Sequence, residues 1–349
     1  MNLAELAKLA NASPTTVSKA LSGTGRVAPD TRRRIAAIAE RVGYRPTAAA
    51  KALATGKAQV IGLVSTRGFR TYLGGIIQQG LVDYLEKRHY HLMVFHAEPG
   101  QGNVPPWVLR RMVDGIVLQQ FWTPSFVAEL ARQNIPALIA LPADETHGIP
   151  SVSCDDVDGA KQATQHLIHL GHRRIAFYQG CGNPLVRNHQ LHRWCGYVSA
   201  MGEAGFPVFP GGDLTDVNSE KILYGLFIAP QRRETDRPAP TALVCFSDLN
   251  ALEAMGWLRR HGLDVPRDVS LIGFDHDYYG KYLEPALTTM AQPFADMGAE
   301  AGRLLVGLIE GEDLPVQDIV MLQNLVIRGS TASPAGSRLL ASCERGTTS

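Results

Sequence analysis

The sequence predicts an α/β protein that carries a small all-α module at its N-terminus. From about residue 59 onward, apolar runs typical of buried strands alternate with amphipathic helical stretches. This alternation favours parallel sheets with helices on both faces. Residues 1–45 show three short helical patterns instead. Because the strand–helix repeat is longer than one sheet of usual size, we expect two similar subdomains.

The predicted strands share an apolar run that is bounded by polar or turn-forming residues. They are 60–64, 91–95, 114–118, 136–141, 173–178, 241–246 and 268–274. Glycines predict where several helices end, since a left-handed residue after a helix favours glycine. We expect such ends at Gly43, Gly171, Gly205 and Gly262.

Charge is divided unevenly along the 349 residues. Residues 1–59 carry ten Lys and Arg against three acidic side chains, a net charge of +7, and the remainder carries 24 against 30, a net charge of −6. The whole chain is 45% hydrophobic and 19% charged, which excludes a disordered or fibrous protein. A basic module on a mildly acidic body points to nucleic acid or a membrane surface at one end.

The three N-terminal helices predict a helix-turn-helix. Ser13 is a good N-cap and Pro14 suits the first position of the second helix. A helix that enters the major groove needs short polar side chains and a cation that reach base edges. Thr15, Thr16, Ser18 and Lys19 supply them. The alternative is a three-helix solubilising module, which the charge of +7 disfavours.

Residues 46–58 predict a linker that folds conditionally. The stretch is rich in alanine and has high helix propensity, but it has too few apolar side chains to bury itself. The residues from Thr331 onward are small and polar, and we expect a loose tail there.

The sequence argues against several other classes of functional site. The stretch from Cys154 to Gly159 imitates a calcium loop but lacks acidic ligands at its ends, so we expect Asp158 to cap the following helix instead. We expect no metal and no cofactor, because no zinc, Walker or nucleophile-elbow motif is present.

The five cysteines are widely spaced, which favours a reducing compartment. No apolar run reaches the ~18 residues of a membrane span, and Glu5 and Lys8 interrupt any signal peptide.

Long stretches of the chain resemble one known family. They read LAELAKLANASPTTVSKALSGTGRVAPDTRRRIAAIAERVGYRPTAAAKALATGKAQVIGLV, SVSCDDVDGAKQATQHLIHLGHRRIAFYQG, PTALVCFSDLNALEAMGWLRRHGLDVPRDVSLIGFDH, LTTMAQPFADMGAEAGRLLVGLIEG and LVIRGST. The sequence is similar to the LacI/GalR family of bacterial transcription regulators over about residues 2–332. The resemblance implies a headpiece (1–45), a hinge helix or linker (46–58), a periplasmic-binding-protein-like core (59–330) and a tail (331–349).

The resemblance also implies a DNA-binding surface. Thr15, Thr16, Ser18 and Lys19 match positions that touch bases or the nearby backbone. A second set matches positions near phosphates, namely Ser13, Ser22 and Thr31. Leu53 falls at the leucine that opens a central base step in the minor groove. The alternative for Leu53 is a lone apolar residue in a linker.

In the core, the resemblance implies two lobes of doubly wound parallel sheet with an effector between them. Lobe 1 covers about 59–157 and 289–316, and lobe 2 covers about 158–288 and 317–330. Arg193 and Asp275 match effector-binding positions, and Asp248 matches a polar position near them. An arginine that donates and a carboxylate that accepts suit a sugar. The alternative for the pair is a structural ion pair.

The region that would border the effector departs from the family's usual pattern. Tyr72, Phe121 and Trp122 introduce aromatic rings that could stack on a sugar, with core packing as the alternative.

We therefore expect a cytoplasmic, homodimeric repressor that binds double-stranded operator DNA and is controlled by a sugar-like effector. The tail carries only Leu339 and Leu340, too few for the leucine heptads that make tetramers. Two other classes stay open on the sequence alone. One is a metabolite-binding module without sequence-specific DNA binding, and the other is an α/β enzyme, for which the sequence offers no nucleophile–base pair.

Overall fold

The structure is a computed structural model that describes most of the chain. The described residues are 1–23, 25–44, 56–65, 72–96, 108, 112–119, 123–142, 146, 148–180, 187–209, 218–230, 238–313 and 318–334. Leu53, Phe121 and Trp122 lie outside them, as do most of the predicted hinge and the tail beyond Pro334. The chain divides into two compact units. Unit 1 comprises 1–66, 82–138 and 302–315, and unit 2 comprises 67–81, 139–301 and 316–349.

The three N-terminal helices are confirmed. They are α1 (Leu3–Leu9), α2 (Pro14–Ser22) and α3 (Pro29–Arg41). Apolar side chains from all three pack into one small core around Leu6, Val17 and Ile35. This core is separate from those of the sheets, and it fixes how α2 is presented.

Strands and longer helices alternate along the chain after the headpiece. In order they are β1 (Val60–Ser65), α4 (Tyr72–Lys87), β2 (His91–His96), β3 (Gly115–Gln119), α5 (Pro124–Arg132), β4 (Ala137–Ala140), β5 (Ser151–Cys154), α6 (Asp156–His169), β6 (Ile175–Tyr178), α7 (Arg187–Glu203), α8 (Ser219–Phe227), β7 (Ala242–Cys245), α9 (Asp248–Arg260), β8 (Ser270–Phe274), a 3-10 helix (Tyr278–Tyr282), β9 (Thr288–Ala291), α10 (Phe294–Glu310), β10 (Ile319–Met321) and β11 (Asn324–Val326).

The strands form two sheets, as the sequence predicts. One has the order β10-β5-β4-β3-β1-β2, and its β1 pairs in parallel with β2 and with β3. The other has the order β11-β9-β8-β7-β6 and is parallel apart from the antiparallel pair of β11 with β9. Parallel sheets whose strands are joined through helices are typical of doubly wound α/β folds. The predicted fold class is confirmed.

Unit 2 carries the sheet that positions the candidate site. Its strands β6, β7 and β8 are fully buried, and helices α6 and α7 pack together beside them. Gly196 of α7 permits this close packing, because a Cβ at that position would lie 2.1 Å from the carbonyl oxygen of Val157. The first residues of α6 therefore lie against the middle of α7.

Helix ends follow the sequence with one correction. The predicted helix-ending glycines have left-handed φ angles of +66°, +100°, +69° and +74° at Gly43, Gly171, Gly205 and Gly262. The expectation that Asp158 caps α6 is wrong. The N-cap is Asp155, whose carboxylate accepts a hydrogen bond from the Asp158 amide at 2.9 Å. Several acidic residues in a row can each cap a helix, and here the chain turns into α6 directly after β5 ends.

Candidate functional site

The outer face of α2 is a candidate DNA-binding surface. Thr15 and Lys19 are exposed, and Thr16 and Ser18 are half-buried. Val17 and Ala20 on the opposite face are buried against the headpiece core. The four predicted base-reading residues therefore share the face that the core leaves open, which is the arrangement that major-groove reading needs.

Ser13 has a structural role that the sequence predicts. Its hydroxyl oxygen accepts from the Thr16 amide at 3.1 Å and lies 2.8 Å from the Thr16 hydroxyl. The cap satisfies one of the open amides of the first turn and fixes the Thr16 side chain. Ser13 itself is exposed, so it is also accessible to a phosphate.

The loop after α2 is held by an arginine on α3. The Arg32 guanidinium donates to the carbonyl oxygens of Gly23 at 3.3 Å and Gly25 at 3.5 Å. Ser22 and Thr31, the other predicted phosphate contacts, are half-buried at the two ends of this connection. The headpiece thus gathers the predicted DNA contacts of 13–31 into one small unit.

In unit 2, a second candidate site is built around the buried guanidinium of Arg193. Its Nε donates to Asp156 Oδ1 at 2.9 Å, and its Nη1 lies 3.6 Å from Asp275 Oδ1. Nη1 also donates to the carbonyl oxygen of Phe246. The rings of Phe246 and Phe274 lie 4.7 and 4.4 Å from the guanidinium carbon. The predicted pairing of Arg193 with Asp275 is present as a contact, with Asp156 as the nearer carboxylate.

Asp275 lies in a strained loop directly after β8. Asp275 and His276 have φ angles of +104° and +59°, which non-glycine residues rarely adopt. The loop is held against β9, because the Asp275 amide donates to the Met290 carbonyl oxygen at 2.9 Å. Strain of this kind persists where surrounding contacts enforce it, and it is concentrated at functional sites.

Asp248 holds this loop in place through hydrogen bonds to the loop and to β9. It is fully buried, and its two carboxylate oxygens accept from the Thr289 hydroxyl at 2.5 Å and from the Asp277 amide at 2.7 Å. In this arrangement both oxygens point at the protein's own backbone and side chains. The structure thus brings Asp248 next to the loop of Asp275 rather than next to Arg193.

The sequence analysis missed four members of this cluster. His189 Nδ1 donates to Asp156 Oδ2 at 2.7 Å, Gln323 Nε2 donates to Asp156 Oδ1 at 3.2 Å, and Gln292 Nε2 donates to Asp275 Oδ1 at 2.6 Å. Asp156 was missed as well, although its position at the carboxyl end of a parallel strand is where such sheets bind ligands. We refer to Asp156, His189, Arg193, Asp275, Gln292 and Gln323 as the Arg193 cluster.

The pKa values of the carboxylates in and beside the cluster are shifted in opposite directions. Burial alone would raise the pKa of Asp156, but the Arg193 guanidinium and the hydrogen bond from His189 hold that pKa well below its usual range. Burial raises the pKa of Asp275 to about 6, against the opposing effect of Arg193. Burial and then the neighbouring Asp275 raise the pKa of Asp248 to about 8. Asp156 is therefore the permanent counter-ion of Arg193.

Of the three predicted aromatic contacts, one falls on a described element. Tyr72 begins helix α4, while Phe121 and Trp122 lie outside the described residues. Within the described residues, no group of three His, Cys, Asp or Glu side chains is arranged to hold a metal ion. No helix in the same part of the chain is long and apolar enough to cross a bilayer.

Two family models match the chain in the order that the fold suggests. The model for bacterial regulatory proteins of the lacI family matches residues 2–47. The model for the periplasmic binding protein-like domain matches residues 164–331. The first covers the helix-turn-helix and the second covers most of the Arg193 cluster.

Full-length relatives agree with these matches. The transcriptional regulator DegA of Bacillus subtilis (strain 168) is 30% identical over 342 residues, covering 94% of this chain and 97% of the relative. The transcriptional repressor CytR of Escherichia coli (strain K12) is 29% identical, covering 94% and 95%. A solved complex of the transcriptional regulator CelR with cellobiose is 27% identical with a TM-score of 0.66, covering 95% and 99%. The resemblance seen in the sequence is confirmed, and the chain belongs to the LacI family of bacterial regulatory proteins, DNA-binding regulators of transcription.

Proposed function

We propose that this regulator is a repressor whose affinity for operator DNA is set by a small molecule, a sugar or related metabolite, bound at the Arg193 cluster. The observation that carries the proposal is a buried arginine held by two carboxylates in a chain that also presents a helix-turn-helix. Burying three charges is costly, and such a cluster is weak evidence for stability alone. Ligand binding gives a reason for its presence. The sequence relative CytR is itself named a repressor.

The DNA-binding half of the proposal rests on α2. Lys19 supplies a cation, and Thr15, Thr16 and Ser18 supply short hydroxyls on the same exposed or half-exposed face. Ser13, Ser22 and Thr31 would contact phosphates, which fix the register of the helix on DNA. Leu53 would enter the minor groove between two half-sites.

The effector half rests on chemistry that suits hydroxyl groups. Asp275 offers a carboxylate acceptor, and its raised pKa means that its charge is poorly solvated. A bound hydroxyl would supply a further hydrogen-bond donor to it. The CelR relative holds cellobiose, which supports a sugar as the effector class. Tyr72 or Trp122 would stack on a sugar ring, and Asp248 would act by holding the Asp275 loop.

The proposal includes a homodimer that works in the cytoplasm, where its DNA is found, and that is not an enzyme. Exposed apolar side chains lie on α9 and on the neighbouring 3-10 helix: Leu249, Leu252, Tyr278 and Tyr282. Large apolar patches on a protein surface mark interaction sites, and these side chains would contribute to the dimer interface. Two headpieces would then read the two halves of a palindrome.

Selection of genomic DNA fragments by the purified protein tests this proposal. We expect enrichment of a palindrome with two half-sites at about physiological salt. Lys19→Ala removes an exposed cation from α2 and should weaken binding to that site by about 5- to 150-fold, the effect of losing one good base contact. Arg132→Ala is the matched control, because it also removes an exposed cation, but from α5, which lies outside the headpiece.

Three results would contradict the proposal. Enrichment of a single half-site would contradict the dimer. Equal binding by the Lys19 and Arg132 variants would contradict the role of α2. DNA binding with a steep salt dependence but no sequence preference would favour a metabolite-binding module without a defined operator.

A further inference from the structure

The Arg193 cluster contains three buried polar atoms without hydrogen-bonding partners in the described part of the chain. They are Nε2 of His189, Oε1 of Gln292 and Oε1 of Gln323. The Gln323 atom lies against Gly159, where helix α6 rather than a ligand occupies the space. The His189 and Gln292 side chains are at most 10% exposed. A buried polar atom without a partner costs free energy, so a ligand that completes these two atoms gains affinity.

The carboxylates determine which chemistry the two open atoms offer. Nδ1 of His189 faces the Asp156 carboxylate, which can only accept. In the singly protonated ring the proton therefore lies on Nδ1, and Nε2 is an acceptor. Nε2 of Gln292 faces Asp275, so the amide oxygen is the open end of that side chain. Both open positions therefore accept hydrogen bonds, and the ligand must donate them.

Charge leads to the same requirement. Asp156 and Asp275 together carry two negative charges against the one positive charge of Arg193. The Nε and Nη1 of that arginine are engaged by Asp156 and by the Phe246 carbonyl oxygen. A phosphate or carboxylate entering the cluster would therefore meet a net negative site.

We propose that the Arg193 cluster selects an uncharged, polyhydroxylated effector and rejects its phosphorylated or acidic forms, with His189 as a specificity-determining acceptor and Asp156 as the residue that sets this preference. The proposal rests on the proposed function and narrows its effector class. It assigns roles to two side chains that contact each other at the junction of α6 and α7.

Asp156→Asn is the sharpest test, because it changes charge and hydrogen-bond direction together. Arg193 and Gln323 both donate to Oδ1, so the asparagine oxygen should keep that place and its amide group should face His189. His189 Nδ1 must then accept, the proton moves to Nε2, and the open position becomes a donor. The net charge of the cluster rises by one unit. Both changes should favour an anionic ligand.

The experiment measures ligand affinity by calorimetry on the full chain at pH 8. The probes are cellobiose, D-glucose and D-ribose, each beside its aldonic acid or its phosphate ester. In the unaltered protein, we expect at least one neutral sugar to bind tenfold or more tightly than its anionic counterpart. In Asp156→Asn this ratio should fall at least tenfold. Asp158→Asn makes the same change two residues along the chain, outside the cluster, and should leave the ratio unchanged.

A second pair of variants covers the case in which Asp156→Asn does not fold, as judged by its thermal unfolding. His189→Gln keeps a donor for Asp156 and an acceptor for the ligand, so the preference should survive. His189→Leu removes the acceptor and should weaken binding of the neutral sugar at least tenfold. Equal affinities in these two variants would overturn the role of His189.

The outcomes separate this inference from the proposed function. Tighter binding of an anionic sugar by the unaltered protein overturns the inference alone, since an effector site would still exist. An unchanged ratio in a folded Asp156→Asn variant overturns the role of Asp156. If no probe of either kind binds, the inference and the effector half of the proposed function fall together, while operator selection still tests the DNA half.

Discussion

At Asp275, burial in the fold directly opposes the negative charge that a proposed ligand would use. Its carboxylate is buried in a strained loop, faces Arg193 and accepts a hydrogen bond from Gln292. Burial raises the pKa to about 6 from an ordinary value of 3.8. The ionised form is therefore destabilised in the folded state, which is a cost that a ligand donor would reduce.

This shift predicts a pH-dependent difference in stability. A raised folded-state pKa means that the folded chain holds the Asp275 proton more tightly, so stability decreases as pH rises from about 4 to about 6 and is level above that. The shift corresponds to about 3 kcal/mol. Asp275→Asn should lose this dependence. Urea unfolding of both proteins at pH 4, 5, 6 and 8 measures it, and parallel curves would contradict the assignment.

At the same scale, sequence reasoning identified Arg193 and Asp275 and missed the partners that define their chemistry. The two were found because they occur in motifs of the family. Asp156 and His189 lie on α6 and α7, and Gln292 follows β9, so these residues join the cluster only in the folded chain. Contacts between residues so far apart in sequence are set by helix packing and strand pairing, which local patterns do not specify.

Among the helices and strands, α2 shows most clearly how the same short sequence provides both stability and a binding face. Ser13 caps the helix and orients Thr16, while Val17 and Ala20 hold the helix on the headpiece core. The exposed face is therefore rigidly presented. This rigidity is what base reading requires, because a helix that frays at its start would present its first turn poorly.

Removing the cap should weaken both the headpiece and its DNA binding. Ser13→Ala is expected to destabilise the headpiece by about 1 kcal/mol, the usual cost of a lost N-cap. The loss of operator-binding free energy should exceed the loss of folding stability, because the Thr16 side chain also loses its fixed position. Ser13→Asp keeps a capping oxygen but adds a negative charge, so it should retain stability and still lose DNA affinity. Thermal unfolding and operator titration of both variants check this, and equal DNA affinity for Ser13→Ala and the unaltered protein would contradict it.

Strands that form continuous apolar runs could be predicted from the sequence, and strands that are polar in part or only three residues long could not. Each of the seven apolar runs overlaps a strand, and the second headpiece helix starts at Pro14 as predicted. Strands β5 and β9 each contain two polar residues among four, and β10 and β11 have only three residues each, so none of them forms a distinct apolar run. They are strands because neighbouring strands pair with them, so tertiary contacts rather than local propensity determine them.

For the whole molecule, the uneven charge is the simplest property that links the two functions. The basic first 59 residues contain the headpiece, and the mildly acidic remainder contains the Arg193 cluster. The positive part suits a polyanion, while the cluster disfavours one. In the proposed account, DNA attraction and effector selection therefore belong to different segments of the chain.

The most direct test of control by a small molecule is a titration of labelled operator DNA with the protein, with and without a cell metabolite extract. For the unaltered protein, we expect an effector-dependent change in operator affinity of about 5- to 150-fold, the usual range of coupling between two sites. Asp275→Asn should bind the operator equally well without extract and should show at least a tenfold smaller response to it. A response of equal size in both proteins would show that control does not pass through the Arg193 cluster, and no response in either would contradict control by a small molecule.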